Sequence, residues 1–191
     1  MKLAASFVFA SLVAVSGIAA AEPAAMDRAD TVNLSILGLA AGNYAVTYEH
    51  LSHGTHGLIL EGEFAHGSND SLSETSVGGG IGYRWHWSGQ QNSGFLGVML
   101  EAGRGSGSVT EDGMTVPLGI HYTTLTANIG KRWTIGDRGN ITLRFGAGAG
   151  SYTAVTDDTS ASAKQAQRDM NSFLALIPVA VDGELSFGYA F

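Results

Sequence analysis

Eight times along this chain, apolar and polar residues alternate with a period of two, and that repetition constrains the fold more than any other feature. Residues 31–39, 43–51, 57–65, 76–87, 94–103, 122–133, 141–152 and 179–191 carry it. In the fourth segment Val77, Ile81, Tyr83, Trp85 and Trp87 alternate with Gly80, Gly82, Arg84 and His86. In the sixth, Leu125, Ala127, Ile129 and Trp133 alternate with Thr124, Thr126, Asn128 and Arg132. Successive side chains of a strand point to opposite faces, so each segment predicts a strand with one greasy and one polar face. Either a second sheet or lipid must cover the greasy face. Charged residues make up 14% of the chain, against roughly 25% in soluble globular proteins. That scarcity argues against disorder and coiled coil. The net charge of −7 gives a nucleic-acid partner no electrostatic support. The absence of cysteine excludes a disulfide framework, thiol catalysis and thiolate metal sites.

The N-terminus predicts an export signal. Lys2 supplies the positive region, residues 3–15 the apolar run, and Ala19, Ala20 and Ala21 the small residues at a cleavage site. Residues 1–21 are therefore expected to be a signal peptide and 22–191 the mature domain. The apolar run is shorter than the ~20 residues of a spanning helix, and no later run reaches about 18.

Three features choose lipid over a second sheet. An even strand number returns both chain ends to one side, as a closed antiparallel barrel requires. Connections alternate between short turns (51–55, 88–93, 134–139) and longer polar loops (67–75, 104–121, 153–172), with a tight exception near 40–42. Bacterial barrels have short periplasmic turns and longer external loops. Aromatic residues gather at strand ends, as amphipathic rings do at the two membrane interfaces. Tyr48, Trp85, Trp87, Phe95, Trp133, Tyr189 and Phe191 are expected at the periplasmic rim, and Tyr44, Tyr122, Tyr152 and Phe173 at the external one. Lys131 has lipid-facing parity, and its position two residues from Trp133 lets the ammonium snorkel to the headgroups. The predicted fold class is all-β: an eight-stranded antiparallel up-and-down transmembrane β-barrel.

The last segment carries a resemblance. Leu185, Phe187, Tyr189 and Phe191 alternate with small residues and end on an aromatic, which resembles the C-terminal assembly signal of Gram-negative outer-membrane proteins. With the leader, it makes the chain similar in architecture to small eight-stranded barrels of the OmpA/OmpX type. The resemblance implies location in the cell outer membrane, insertion by the barrel-assembly machinery, and contact with outer-membrane lipid and lipopolysaccharide. The expected role of such a filled barrel is structural or surface-loop-presenting, as a monomer, with no cofactor.

Parity sends Glu49, Glu61, Glu63, Glu101, Asp182 and Glu184 inward, with Arg84, Arg132, Arg144 and His86. An eight-stranded barrel is just wide enough for its side chains to fill, and buried charges must pair, neutralise or bind ions. Strand direction places Glu49, Glu61, Arg84, His86, Arg132 and Arg144 in the periplasmic half, as an ion-pair plug. Glu63, Glu101, Asp182 and Glu184 fall nearer the outside, as an acidic cluster without an inward base on the strands. Such a cluster shares protons, pairs with Arg104, Lys164 or Arg168 from the loops, or holds a divalent cation. Inward Gly80, Gly82, Gly146 and Gly148 are expected to leave room for arginine side chains. Loop clusters at 68–71, 111–113 and 157–159 are polar and acidic, and 165–170 predicts a short helix.

Two further readings concern function. A small apolar ligand could bind or pass at the external mouth. His50, Leu51 and Ser52, with Glu61 and Glu63 downstream, resemble the His-x-Ser and Glu pattern of the lipid A 3-O-deacylases, which implies catalysis by His50, Ser52 and Glu63. That motif falls at the periplasmic end of its strand, whereas lipid A lies in the external leaflet. His50, His53 and His56 would hold a metal only if their turn folded them together; no metal site is expected.

Overall fold

The computed structural model describes residues 28–191, apart from 38, 40, 41, 70, 71, 112 and 113; the predicted leader lies outside the described residues. Eight strands form one closed antiparallel barrel in chain order. They are β1 (Asp30–Ser35), β2 (Asn43–Ser52), β3 (His56–Asn69), β4 (Leu72–His86), β5 (Gly94–Glu111), β6 (Met114–Ile135), β7 (Gly139–Val155) and, after helix α1 (Ala161–Leu174), β8 (Val179–Ala190). Each strand pairs with its sequence neighbours, and β1 pairs with β8 from Thr31↔Ala190 to Ser35↔Ser186. The predicted all-β, eight-stranded antiparallel up-and-down barrel stands as read.

The alternation explains the wall. Alternate positions of β3, β4 and β5, such as Leu58, Leu60, Phe64, Ile81, Tyr83, Leu96 and Leu100, stand exposed on the outside. The residues between them point into a lumen packed with polar groups. Thr31, Asn33, Thr47, Glu49, Arg84, Thr126, Arg132 and Ser186 are all buried there. The protein is thus apolar outside and polar within, the reverse of a soluble sandwich. Closure also gives every strand a partner, which removes sheet edges.

The lower turns are short. Between β2 and β3, Ser52 accepts a hydrogen bond from the Thr55 amide at 3.2 Å, and His53 (φ 52°) and Gly54 (φ 69°) both take positive φ. Two consecutive positive values suit the primed turns that match the twist of a hairpin. The upper side departs from expectation. Strands β3 to β6 run far beyond the predicted segments, with Asn69 pairing Leu72 and Glu111 pairing Met114. Residues 67–75 and 104–121 are therefore mostly paired strand, and not loops. Polar side chains above the greasy band hide that extension from a hydrophobicity reading.

The third upper connection contains α1, longer than the predicted 165–170. The Ser160 hydroxyl accepts from the Ala163 amide and caps its start. Asn171 and Gln167 then dock the helix on β7. Asn171 Oδ1 accepts from the Ala154 amide (2.7 Å), while Asn171 Nδ2 (3.1 Å) and Gln167 Nε2 (3.0 Å) donate to its carbonyl. β8 pairs with β7 only up to Val179↔Ala149, so these side chains satisfy β7 backbone above the pairing.

Candidate functional site

The lower lumen holds a chain of alternating charges. Glu49 Oε2 accepts from Arg132 Nη2 (2.5 Å) and Arg84 Nη1 (2.9 Å), and Glu49 Oε1 meets His86 Nε2 at 2.8 Å. Arg84 Nη2 crosses to Glu184 Oε2 at 2.6 Å. Arg144 continues the chain, with Nη2 at 2.8 Å from Asp182 and 3.3 Å from Glu61, and Nη1 at 3.5 Å from Glu184. Each carboxylate sits beside at least one cation, which offsets the desolvation of groups that are almost fully buried. The Arg84 guanidinium also lies 4.5 Å from the Phe95 ring centre, and the His86 ring 5.4 Å from it.

Of the residues placed in the periplasmic half, Glu49, Arg84, His86 and Arg132 meet one another, and Arg144 and Glu61 join one level up. Glu184 departs from the layering. It was expected among the external acids but binds Arg84 and Arg144, and Ser186 donates to its second oxygen at 2.6 Å. Barrel shear shifts β8 downward relative to a strand-by-strand count, which parity cannot reveal. Asp182 likewise has a base, Arg144.

Glu63 and Glu101 remain above this chain. Tyr122 donates its hydroxyl to Glu63, and Thr124 donates to Glu101 at 2.9 Å. Neither acid has a basic partner among the described residues. The loop bases do not fold in: Arg104, Lys164 and Arg168 are exposed, and Arg168 binds Gln165 at 2.7 Å. Among the described residues no group of three or more ligating side chains could hold a metal ion.

Two aromatics expected at the rims face the lumen instead. Phe95 is fully buried under Arg84, and Tyr122 reaches Glu63. Both share parity with inward neighbours, Gly97 and Met99 for Phe95, Thr124 and Thr126 for Tyr122, so the signal was present in the alternation. Phe173 stands exposed on α1. Gln91 and Ser93, read as part of a turn, are also lumen groups. Gln91 Nε2 donates to the Arg28 carbonyl (2.8 Å), its Oε1 accepts from Arg132, and Ser93 Oγ lies 2.8 Å from His86 Nδ1. The connection folds under the barrel as a floor, a placement that no local pattern announces.

The expected glycine roles also shift. A side chain at Gly80 would strike Glu101 Cγ (2.8 Å), and one at Gly146 would strike Asn128 Cβ (2.8 Å). These glycines make room for their neighbours, and so does Gly97, where an added Cβ would lie 2.6 Å from Asn128 Oδ1 and 3.3 Å from Arg84 Cγ.

Trp85, Trp87, Trp133, Tyr189 and Phe191 are exposed around the lower rim, with Tyr48 half-buried beside them. Polar groups interleave with them. Tyr48 donates to Asp30 (2.5 Å), Arg138 to Tyr189 (2.6 Å), and Lys131 Nζ lies 5.6 Å from the Trp133 ring centre. Leu185, Phe187, Tyr189 and Phe191 share the outer face at the β1–β8 seam.

The deacylase-like set does not assemble. His50 Nδ1 binds Asp30 at 2.9 Å on the outer face, whereas Glu63 lies in the lumen with Tyr122. Their strand partners differ too: His50 pairs with Leu58, and Glu63 pairs with Ala45 farther up. A carboxylate across the wall cannot orient that imidazole. His53 sits in the primed turn, and His56 Nδ1 turns to the Tyr83 hydroxyl at 2.6 Å.

No protein-family profile and no curated protein matches the chain. Among solved structures, a major outer membrane protein from Thermus thermophilus is similar at 17% identity and a TM-score of 0.47, over 85% of this chain and 97% of that one.

Proposed function

We propose that the chain is an outer-membrane β-barrel with a closed, charge-paired lumen, whose work is structural: it strengthens the envelope and carries β-hairpins and α1 above the surface. The observation that carries this reading is the inverted polarity of the closed wall, greasy outside and ionic inside. Only lipid covers such a wall without leaving it exposed to water. The ring of tryptophan and tyrosine with Lys131 and Arg138 sets the lower interface. An outer groove of about 590 Å³ between Leu58, Leu60, Ile81, Val98, Leu100 and Leu125 offers a seat for acyl chains. On this reading residues 1–21 direct export, the alternation ending at Phe191 addresses the barrel-assembly machinery, and the monomer meets lipopolysaccharide around its upper half.

The test is refolding into phosphatidylcholine vesicles, followed by heat-modifiable gel migration and planar-bilayer recording. The expected result is a folded, protease-protected barrel without steady conductance. Aqueous solubility as a folded monomer without detergent would overturn the membrane placement. A stable open channel would overturn the closed lumen.

A further inference from the structure

On the outer wall, the first titratable pair above the greasy band is Arg104 and His121. They are cross-strand partners on β5 and β6 and share outward parity with Leu100 and Leu125, four residues below each on the same strands. Both are exposed, and among the described residues neither side chain has a hydrogen-bond or ion-pair partner. One rung higher, His66 Nδ1 lies 3.1 Å from the Thr75 hydroxyl on the same face.

The charge there is one-sided. The chain holds 17 acidic residues. Along the described strands, from the lower rim up to the His66–Thr75 rung, Asp30 is the one carboxylate with outward parity, and it sits at the bottom beside Tyr48. The height also fits a membrane interface. Ten residues of β6 separate His121 from Lys131. At ~3.3 Å per residue and a strand tilt of ~40° they rise about 25 Å, the height of the apolar band on such barrels. Lys131 lies 5.6 Å from the Trp133 ring centre and marks the lower boundary, so Arg104 and His121 meet the upper one.

A groove leads down from the pair. The outer cavity of about 590 Å³ is bounded by Leu60, Ile81, Leu100 and Leu125, which share one rung of β3 to β6. The next rung up is Gly62, Gly79, Ala102 and Thr123, and an added Cβ at Gly62 meets nothing within 4 Å. That rung of small residues leaves the way open from the groove to the two donors.

We propose that this face binds one lipid of the external leaflet whose head is a phosphate monoester. The phosphate sits on Arg104 and His121, and one acyl chain lies in the groove below. The guanidinium offers its planar fork to two phosphate oxygens, and the imidazole N–H reaches a third. The bare outward face around the pair sets no carboxylate against that anion. The proposal rests on the membrane placement above and gives the contact with lipid a defined site.

The test refolds the barrel in phosphatidylcholine vesicles, transfers it to detergent micelles and counts bound lipid by native mass spectrometry. The probe is phosphatidic acid, with phosphatidylcholine, stearic acid and inorganic phosphate as controls. One phosphatidic acid should bind, about tenfold tighter than either control lipid, and excess inorganic phosphate should not displace it. Arg104→Gln with His121→Gln should abolish the preference, while Lys131→Gln at the lower rim should leave it unchanged. Leu100→Trp fills the groove and should weaken phosphatidic acid about tenfold. Heat-modifiable migration reports folding of each variant. Should the double change not fold, Arg104→Gln by itself carries the test, and Leu125→Trp replaces Leu100→Trp in the same way. Equal binding of phosphatidic acid and phosphatidylcholine, binding indifferent to Arg104 and His121, or an equal loss in Lys131→Gln would overturn the site while leaving the barrel reading intact. Displacement by inorganic phosphate, or binding indifferent to the filled groove, would overturn the lipid as its occupant. Failure to insert into the vesicles at all would overturn the membrane placement and the site together.

Discussion

Replacing Glu49 with Ala leaves the guanidinium groups of Arg84 and Arg132 facing each other without the carboxylate that joins them. Removing one partner of a buried charge set costs about 3–5 kcal/mol. The loss should appear as a lower urea midpoint for unfolding from lipid vesicles. Converting Glu49 and Arg132 together to Met should cost less than Glu49→Ala alone, because Arg84 keeps Glu184 and no guanidinium is left without its carboxylate. At the surface, Asp158 Oδ1 accepts from the Ser160 amide at 2.8 Å, and the Ser160 backbone and hydroxyl hold its carboxyl below the usual carboxylate range. A lowered folded pKa means that this contact stabilises fully above the unfolded value of about 3.9 and is lost as pH falls through the folded one. The Ser160 amide shift in an NMR titration should therefore move with a midpoint under about 3.9, and Asp158→Asn should flatten it. At this scale the sequence showed which charges point inward, since parity alone decides that. It could not show which acid meets which base, because that depends on stagger between strands. Glu184 is the instance: its parity was right and its level was not.

Helix α1 hangs on few contacts, so its stability is separable from that of the wall. Ser160→Ala removes the N-cap acceptor at a cost of about 1 kcal/mol, and the amides of the first helical turn should exchange faster. Asn171→Ala takes away both bonds to Ala154, and the Ala154 amide, now protected, should exchange at the rate of the helix. In β3, Leu60→Arg puts a cation on the greasy face and should cost about 2–4 kcal/mol in vesicles, while leaving the lumen untouched. Strand positions were legible because a wall with one greasy and one polar face imposes a strict two-residue rhythm. Above the greasy band that rhythm fades, so the upper parts of β3 to β6 read as loop although they pair. The helix was glimpsed at 165–170 but not its extent, since its docking uses Gln167 and Asn171 and not an apolar stripe.

Over the whole molecule, the lower lumen is filled by the chain of paired charges, while Glu63 and Glu101 stand above it with hydroxyl partners. Recordings from the native barrel should show no steady current, and a triple change of Glu49, Arg84 and Arg132 to Ala should introduce conductance if the chain of charges is what seals it. Architecture was readable from the alternation and the turn lengths, but the shortness of the β1 pairing was not, because β1 and its neighbours look alike until their pairing is traced. That pairing has a mechanical corollary. Among the described residues β1 shares five residue pairs with β2 and five with β8, while β5 and β6 share eighteen. Asp30 and Phe191 exchange backbone hydrogen bonds at 2.9 and 3.4 Å across nearly the full described chain, so the ring is fastened by partners that meet only after almost everything between them has folded. The thinnest stitching thus lies where the hoop is joined, and a pulling force or a rise in denaturant should part it there first, unrolling the cylinder from its clasp rather than from any of its hairpins.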